Sequence, residues 1–178
     1  ASSTTYSVSY SVNGCSVMAT STVVINSVPT VSVTSSTICE GQSTILTAIP
    51  APAGGTFIWA PNAQTTSTIT DSPSTTTAYG VLYSVNGCTA AATGSIIVNP
   101  LPVVMLSASS QTIMNLESVT INANGGGTYV WNTNETTSSI TQSPQVTTVY
   151  CATVTSAAGC VATDCITIIV LDQSTLYF

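Results

Sequence analysis

Residues 78–88 read AYGVLYSVNGC, a phrase that occurs three times in this chain and decides its fold. Residues 5–15 read TYSVSYSVNGC, and a looser version spans residues 149–160. The period is fixed, because Cys15 and Cys88 lie 73 residues apart and Cys88 and Cys160 lie 72 apart. Trp59 and Trp131 repeat at the same 72-residue spacing. Self-similarity at one period is the signature of a repeat architecture, so the sequence predicts first an extended or polymeric object.

Each copy of the phrase predicts a strand that ends in a tight turn. Tyr6, Val8, Tyr10 and Val12 alternate with serines, which is the period-two pattern of a strand with one buried and one solvated face. The Asn-Gly pair that follows supplies the two positive φ values of a two-residue hairpin turn. Apolar runs at residues 23–25, 96–98 and 168–170 predict the partner strands. Each copy therefore closes with a β-hairpin.

The region upstream of each complete phrase adds further short strands. Residues 30–33, 43–49 and 56–59 predict the first three strands of one copy, with Trp59 on the third. About seven short strands in about 72 residues are typical of an immunoglobulin-like sandwich. We therefore predict an all-β chain of tandem immunoglobulin-like β-sandwich domains. The predicted parts are the last two strands of an incomplete domain at 1–28, complete domains at 29–100 and 101–171, and a tail at 172–178.

The composition excludes several classes of function. The chain has no lysine, arginine or histidine, and six carboxylates give it a formal net charge of −6. Nucleic-acid binding needs cations that displace phosphate counterions, so it is excluded. The longest apolar run, residues 166–171, is far below the roughly 20 residues of a membrane-spanning helix, so no membrane insertion is predicted. Without a histidine base, the chain is predicted not to be an enzyme and to carry no cofactor.

Cysteine usage indicates an oxidising compartment. Six cysteines in a chain without histidine favour disulfides over metal ligation, so we place the protein in the extracellular space or at the cell surface. Cys151 and Cys165 are symmetric about the turn near residue 158 and lie on the face opposite Tyr150 and Val170. We predict a cross-strand disulfide between them, with two free thiols as the alternative.

The remaining cysteine pairing stays open between two predictions. Cys39 is predicted in the loop between the first and second strands, and Cys88 just after the final hairpin turn, which are opposite ends of an immunoglobulin-like domain. One prediction is a bond from Cys39 to Cys160, across the junction of consecutive domains; Cys88 would then need a cysteine from an upstream copy. The competing prediction pairs Cys39 with Cys88. Either bond would stabilise the fold by about 2–4 kcal/mol.

No catalytic or metal site is predicted from the acidic residues. They stand mostly isolated in predicted loops, without the clustering that a glycosidase pair or a calcium site requires, at Glu40, Asp71, Glu117, Glu135, Asp164 and Asp172. The aromatic side chains have a structural interpretation and a functional one. Tyr79 and Tyr150 are placed like corner tyrosines, and Trp59 and Trp131 like core plugs, while sugar stacking by the tryptophans is the alternative.

The strings at 37–43, 55–59, 69–73, 75–79, 86–88 and 99–102 resemble the Ig-like and PKD-like repeats of Bacteroidota surface and secreted proteins. The resemblance covers nearly the whole chain through Leu171. It implies tandem domains of the kind found in long arrays on adhesins and other exported proteins, without shared catalytic residues. The second complete copy departs from the pattern, because Met114 stands where Cys39 stands in the first, and the tail 172–178 replaces a linker.

An isolated hairpin at residues 1–28 would leave Tyr6, Val8, Tyr10 and Val12 unpacked, so these four are the predicted assembly residues. The cover is predicted to be either a neighbouring copy, by strand complementation that makes a polymer, or further repeats of the same chain. The first hypothesis for function is accordingly a structural protein, a subunit or segment of an extracellular filament. The second is a stalk in a cell-surface adhesin. The third is a carbohydrate-binding accessory module of a secreted enzyme.

Overall fold

A computed structural model describes residues 2–171, and every regular element in this part of the chain is a β-strand. The prediction of an all-β fold is therefore confirmed. The predicted tail at 172–178 lies outside the described residues. The strands are β1 (Thr4–Val12), β2 (Cys15–Val23), β3 (Thr30–Val33), β4 (Ser36–Cys39), β5 (Thr44–Ala51), β6 (Thr56–Ala60), β7 (Thr68–Asp71), β8 (Thr77–Val85), β9 (Cys88–Asn99), β10 (Met105–Ala108), β11 (Thr112–Met114), β12 (Val119–Asn124), β13 (Thr128–Trp131), β14 (Ser139–Gln142), β15 (Thr148–Thr155) and β16 (Val161–Leu171).

The first two strands form a separate two-stranded antiparallel sheet. The turn between β1 and β2 uses Asn13 at φ 49° and Gly14 at φ 80°, the left-handed pair that the Asn-Gly sequence predicts. The equivalent turn between β8 and β9 uses Asn86 at φ 50° and Gly87 at φ 76°. The two hairpins therefore have the same turn geometry as well as the same sequence phrase.

The described residues divide into two compact units, 2–36 with 43–97, and 37–42 with 98–171. In the first unit, β3, β5 and β7 form one antiparallel sheet, in that order. A second sheet has the order β4-β9-β8-β6, so that the β8–β9 hairpin is flanked on both sides; residues 37–39 of β4 and 98–99 of β9 are grouped with the second unit. The inward side chains of the first unit are buried, as the alternating pattern predicts: Leu46, Ala48, Trp59, Ile69, Tyr79, Val81, Tyr83 and Ile96.

The second unit repeats this arrangement of sheets. Its three-stranded sheet has the order β10-β12-β14, and its four-stranded sheet has the order β11-β16-β15-β13. Its core is one cluster of buried side chains that includes Val119, Ile121, Trp131, Tyr150 and Ile168. Each four-stranded sheet therefore contains a closing hairpin with one short strand on either side of it.

The segment between the first and second predicted strands is not a loop. The prediction that placed Cys39 in such a loop is wrong, because Cys39 ends strand β4, the neighbour of β9 in the four-stranded sheet. In the second unit, β11 likewise pairs in parallel with β16, Ile113 opposite Val170. The chain leaves one sheet after β3 or β10 and joins the other. Ile38 and Ile113 explain the step, because each is buried by it.

Candidate assembly site

One face of the β1–β2 hairpin is apolar and uncovered. The register places Val8 opposite Ala19 and Tyr10 opposite Val17, and side chains on one face alternate along each strand. We call this surface the hairpin face and define it as Tyr6, Val8, Tyr10, Val12, Val17 and Ala19. Tyr6, Val8 and Tyr10 are 63%, 65% and 66% exposed. The four predicted assembly residues therefore share one side of the hairpin, and that side has no cover within residues 2–171.

The same chain shows how such a face looks when it is covered. Tyr79, Val81 and Tyr83 occupy the equivalent positions of the β8–β9 hairpin, 73 residues further on, and are only 0–2% exposed. The β1–β2 and β8–β9 hairpins, which share a sequence phrase and a turn geometry, therefore differ in the exposure of three large apolar side chains. Contiguous exposed apolar surface of this kind marks an interaction site.

The covered tyrosines also show which segment supplies the cover. The hydroxyl of Tyr83 donates to the carbonyl oxygen of Pro52 at 2.6 Å and accepts from the amide of Gly55 at 2.8 Å. The hydroxyl of Tyr79 donates to Oδ2 of Asp71 at 2.8 Å. Burial, followed by this carboxylate, raises the pKa of Tyr79 to about 12. All of these partners belong to residues 52–71, a region with no counterpart ahead of β1 in the described chain.

The tyrosines show where the corner interpretation holds and where it does not. A corner tyrosine bonds a backbone group, but Tyr79 bonds the carboxylate of Asp71. Tyr83, four residues later, makes the backbone contact. Tyr79 thus differs from a corner tyrosine in its acceptor, which is a side chain at the end of β7. Desolvation raises the pKa of the equivalent Tyr150, and the charge of Glu135 adds to that increase.

The edges of the hairpin carry no feature that would block pairing. Residues 2–28 contain no charged side chain, and the two-stranded sheet leaves the outer edges of both β1 and β2 without a partner strand. Natural sheets usually protect such edges with charge, proline or a covering segment. The polar face of the hairpin is rich in serine and threonine, which hydrate without repelling another strand. The hairpin can therefore accept strands at both edges and a sheet on its apolar face.

The structure contains two disulfides. Cys151 and Cys165 are directly opposite on β15 and β16, with a Cα–Cα distance of 4.1 Å. Cys39 is bonded to Cys160 at a Cα–Cα distance of 5.6 Å, within the second unit. The alternative bond between Cys39 and Cys88 is absent from the structure, and Cys88, like Cys15, is a free thiol. The Cys151–Cys165 bond lies away from the core, since Tyr150 beside it is buried while Cys165 is exposed.

The tryptophans belong to the core. Trp59 and Trp131 are each 1% exposed, and their indole Nε1 groups donate to the carbonyl oxygens of Thr66 and Thr137 at 2.9 and 2.8 Å. Sugar stacking needs an accessible aromatic face, so the alternative interpretation of these two residues is wrong. Among the described residues, no group of three or more acidic or cysteine side chains could hold a metal ion.

The acidic side chains serve local structure. Asp71 accepts from the Tyr79 hydroxyl, from the amide of Ser72 at 2.8 Å and from Nδ2 of Asn62 at 2.8 Å. These bonds, the one from Tyr79 first, lower the pKa of Asp71 because they stabilise its charged form. Glu117 closes the turn after β11 by accepting from the amide of Met114 at 3.0 Å. Asp71 and Glu117 therefore show turn and hydroxyl contacts of a structural kind.

No protein-family model and no curated protein matches this sequence. Among solved structures, the chain is similar to the N-terminal eight Ig domains of Down Syndrome Cell Adhesion Molecule, with a TM-score of 0.55 and 12% identity, over 96% of this chain and 27% of that one. It is also similar to immunoglobulin domains 1–4 of Sidekick-1, with a TM-score of 0.39 and 15% identity, over 83% of this chain and 48% of that one. The chain thus spans about a quarter of the first structure and half of the second. The likeness to the first confirms the predicted fold class, tandem immunoglobulin-like β-sandwiches.

In residues 2–171, no helix is long and apolar enough to cross a membrane.

Proposed function

We propose that this chain is a structural protein, a subunit or segment of an extracellular filament built from immunoglobulin-like domains of the Bacteroidota surface-protein type. The observation that carries the proposal is the hairpin face. Its tyrosines and valine are 63–66% exposed, whereas the equivalent side chains of the β8–β9 hairpin are 0–2% exposed. In the proposed filament, Ig-type strands from outside residues 2–171 cover the hairpin face as residues 30–71 cover β8 and β9.

The first unit specifies the chemistry of that cover. In the sheet β4-β9-β8-β6, one short strand pairs with each member of the hairpin, and the sheet β3-β5-β7 supplies buried side chains such as Leu46 and Ile69. The hairpin face therefore calls for a strand beside β1, a strand beside β2 and an apolar sheet above them. Burial of a large apolar side chain contributes about 1.5–3 kcal/mol, so Tyr6, Val8 and Tyr10 together offer several kcal/mol for assembly.

The remaining features agree with an inert structural role outside the cell. The two disulfides fit an oxidising compartment, and the chain offers no cationic side chain for nucleic acid or anionic lipid. The strands that cover the hairpin face come from a second copy of the chain in a polymer, or from further repeats of the same polypeptide in an array.

The test uses two variants that add the same charge one residue apart. Val8→Asp places a carboxylate on the hairpin face, and Ser7→Asp places it on the opposite face. By sedimentation velocity, we expect the purified chain and Ser7→Asp to associate, and Val8→Asp to remain monomeric because a buried, unpaired carboxylate opposes assembly. Equal behaviour of the two variants would contradict the proposal. A wild-type monomer whose Tyr6–Val12 amides are strongly protected from hydrogen exchange would contradict it too, since the cover would then be internal.

A stalk of a cell-surface adhesin is the second candidate, favoured by one observation. The chain matches a tandem array of Ig domains in a protein whose name describes it as a cell adhesion molecule. A stalk and a filament differ in native material under negative stain. Isolated strings of finite length are expected of a stalk, and uniform helical fibres of a filament. Trp59 and Trp131, the residues suggested for carbohydrate binding, are buried and so cannot stack on a sugar.

A further inference from the structure

Cys88 is a free, half-buried thiol at a position where the next copy of the repeat forms a disulfide. Cys88 follows the positive-φ residue Gly87 (φ 76°), and Cys160, 72 residues later, follows Gly159 (φ 80°). Cys160 is fully buried and bonded to Cys39. The chain thus shows the bonded form of this site once and the unbonded form once.

The surroundings of the two cysteines match beyond the turn. Asn99, which ends β9, places its carbonyl oxygen 3.9 Å from Sγ of Cys160. Asn26, 73 residues earlier and just after β2, donates from Nδ2 to the carbonyl oxygen of Asn86 at 2.7 Å, beside Cys88. In each case a linker asparagine reaches the hairpin turn of the following copy. The site at Cys88 therefore already has its turn and its linker.

The bonded site at Cys160 includes a strand end that the site at Cys88 lacks within residues 2–171. Cys39 arrives on β4, the strand beside β9, and the amide of Glu40 donates to the carbonyl oxygen of Asn99 at 2.9 Å. A tight turn then closes, with the amide of Gln42 donating to the carbonyl oxygen of Cys39 at 3.0 Å and Oε1 of Gln42 accepting from the Cys39 amide at 3.1 Å. By the repeat, a strand beside β2 would bring its last residue to Asn26 and to Cys88.

The described chain contains no spare cysteine for that strand end. Cys39 is already bonded to Cys160, and the matching turn after β11 has Met114 in the cysteine position. That turn is closed in the same way, because the amide of Glu117 donates to the carbonyl oxygen of Met114 at 3.0 Å. The turn thus forms with or without a cysteine, and a bond to Cys88 needs a strand from outside residues 2–171.

We propose that Cys88 forms a disulfide with the last residue of the strand that pairs with the free edge of β2, in a Cys-X-X-Gln or Cys-X-X-Glu turn. This inference rests on the proposed function, because the same incoming strands cover the hairpin face. The two thiols lose two protons and two electrons, and a protein or glutathione disulfide in the oxidising compartment takes them up to become two thiols. The bond fastens covalently an assembly that the hairpin face holds by burial.

The test is a peptide map of native assembled material. Free thiols are first blocked with iodoacetamide, and the chain is then cut after Glu40, Glu117 and Glu135, which leaves Cys88 as the single cysteine of peptide 41–117. We expect this peptide to be joined to one from outside residues 2–171 whose cysteine precedes Gln or Glu by three positions; Cys39 has the same spacing to Gln42, but it is bonded to Cys160. Gel mobility after reduction shows whether the incoming strand belongs to a second polypeptide or to the same one, because the mass falls only if it belongs to a second polypeptide.

Two results would overturn the inference: a carbamidomethylated Cys88, or a bond from peptide 41–117 to peptide 1–40, which holds Cys15 and Cys39. The expected bond between Cys39 and Cys160 serves as an internal control for disulfide shuffling. Failure here remains distinct from failure of the proposed function. Assembled fibres in which Cys88 is carbamidomethylated would contradict the proposed disulfide but not the proposed filament, whereas native material that consists of monomers would contradict both.

Discussion

Two equivalent tyrosines allow the exposure of the hairpin face to be measured directly. Tyr10 and Tyr83 occupy the same position of the repeat, 73 residues apart, and are 66% and 0% exposed. Truncation of a buried aromatic side chain costs about 3–5 kcal/mol. Tyr83→Ala should reach the upper part of this range, because it also removes the hydroxyl that bonds Pro52 and Gly55. In the unassembled chain, Tyr10→Ala should change the free energy of unfolding by less than about 0.5 kcal/mol.

Assembly should make truncation of Tyr10 as costly as truncation of Tyr83. If incoming strands bury Tyr10 as residues 52–71 bury Tyr83, the same 3–5 kcal/mol of truncation cost, roughly, applies to the association step. Tyr10→Ala should then weaken the association constant by roughly 10²- to 10⁴-fold. Urea unfolding under dissociating conditions measures the first effect, and the concentration dependence of sedimentation measures the second. A Tyr10→Ala monomer whose free energy of unfolding falls by several kcal/mol would contradict an exposed Tyr10, because the side chain would then already be packed within its own chain.

Three further outcomes are expected. Because residues 2–28 carry no charged side chain, association should not weaken between 50 mM and 1 M sodium chloride, and it should strengthen in sulfate. Light scattering measures this association, and scattering that falls steeply with salt would indicate an electrostatic interface instead. The pKa of Asp71 is lowered in the folded state, so its stabilising effect is present above its ordinary pKa of 3.8 and is lost as pH falls through the lowered value. Asp71→Asn should therefore reduce the fall in the free energy of unfolding at acid pH. An unchanged acid dependence would show that the bond from Tyr79 to Asp71 does not couple stability to pH. The Cys39–Cys160 bond spans 121 residues, so Cys39→Ser should lower the thermal midpoint by an amount equivalent to about 4 kcal/mol, the upper end of the typical range, and an unaltered calorimetric scan would count against that bond.

The parts of the fold that the sequence predicts are those with local physical causes. Alternating Tyr and Val side chains need one buried face, and Asn-Gly pairs need a left-handed turn, so the hairpins follow from a few adjacent residues. The tryptophans at a constant spacing predict a core, and both are buried. Strands β4 and β11 escape sequence-based prediction because each carries one buried apolar side chain, Ile38 or Ile113, which is too little to show an alternating pattern. Their pairing with β9 and β16 depends on the chain crossing between sheets.

Some features of the candidate site likewise follow from local sequence, and others depend on long-range contacts. The apolar pattern at Tyr6, Val8 and Tyr10 is visible in the sequence, whereas its exposure is expected only by comparison with the complete copies, because it depends on whether residues 2–171 contain a covering segment. The cysteines behave similarly. Cys151 and Cys165 face each other because one turn sets their register, a local matter. The partner of Cys39 could not be chosen from sequence alone, since it depends on where β4 ends in three dimensions.

The central claim is that Ig-type strands from outside residues 2–171 cover the hairpin face in the native material. An electron cryo-microscopy map of that material tests the claim most directly. We expect density for a strand beside β1, a strand beside β2 and a three-stranded sheet over Tyr6, Val8 and Tyr10, in the arrangement that β6, β4 and the sheet β3-β5-β7 show around β8 and β9. A map in which solvent, or the chain's own residues 30–171, lies against those three side chains would contradict it.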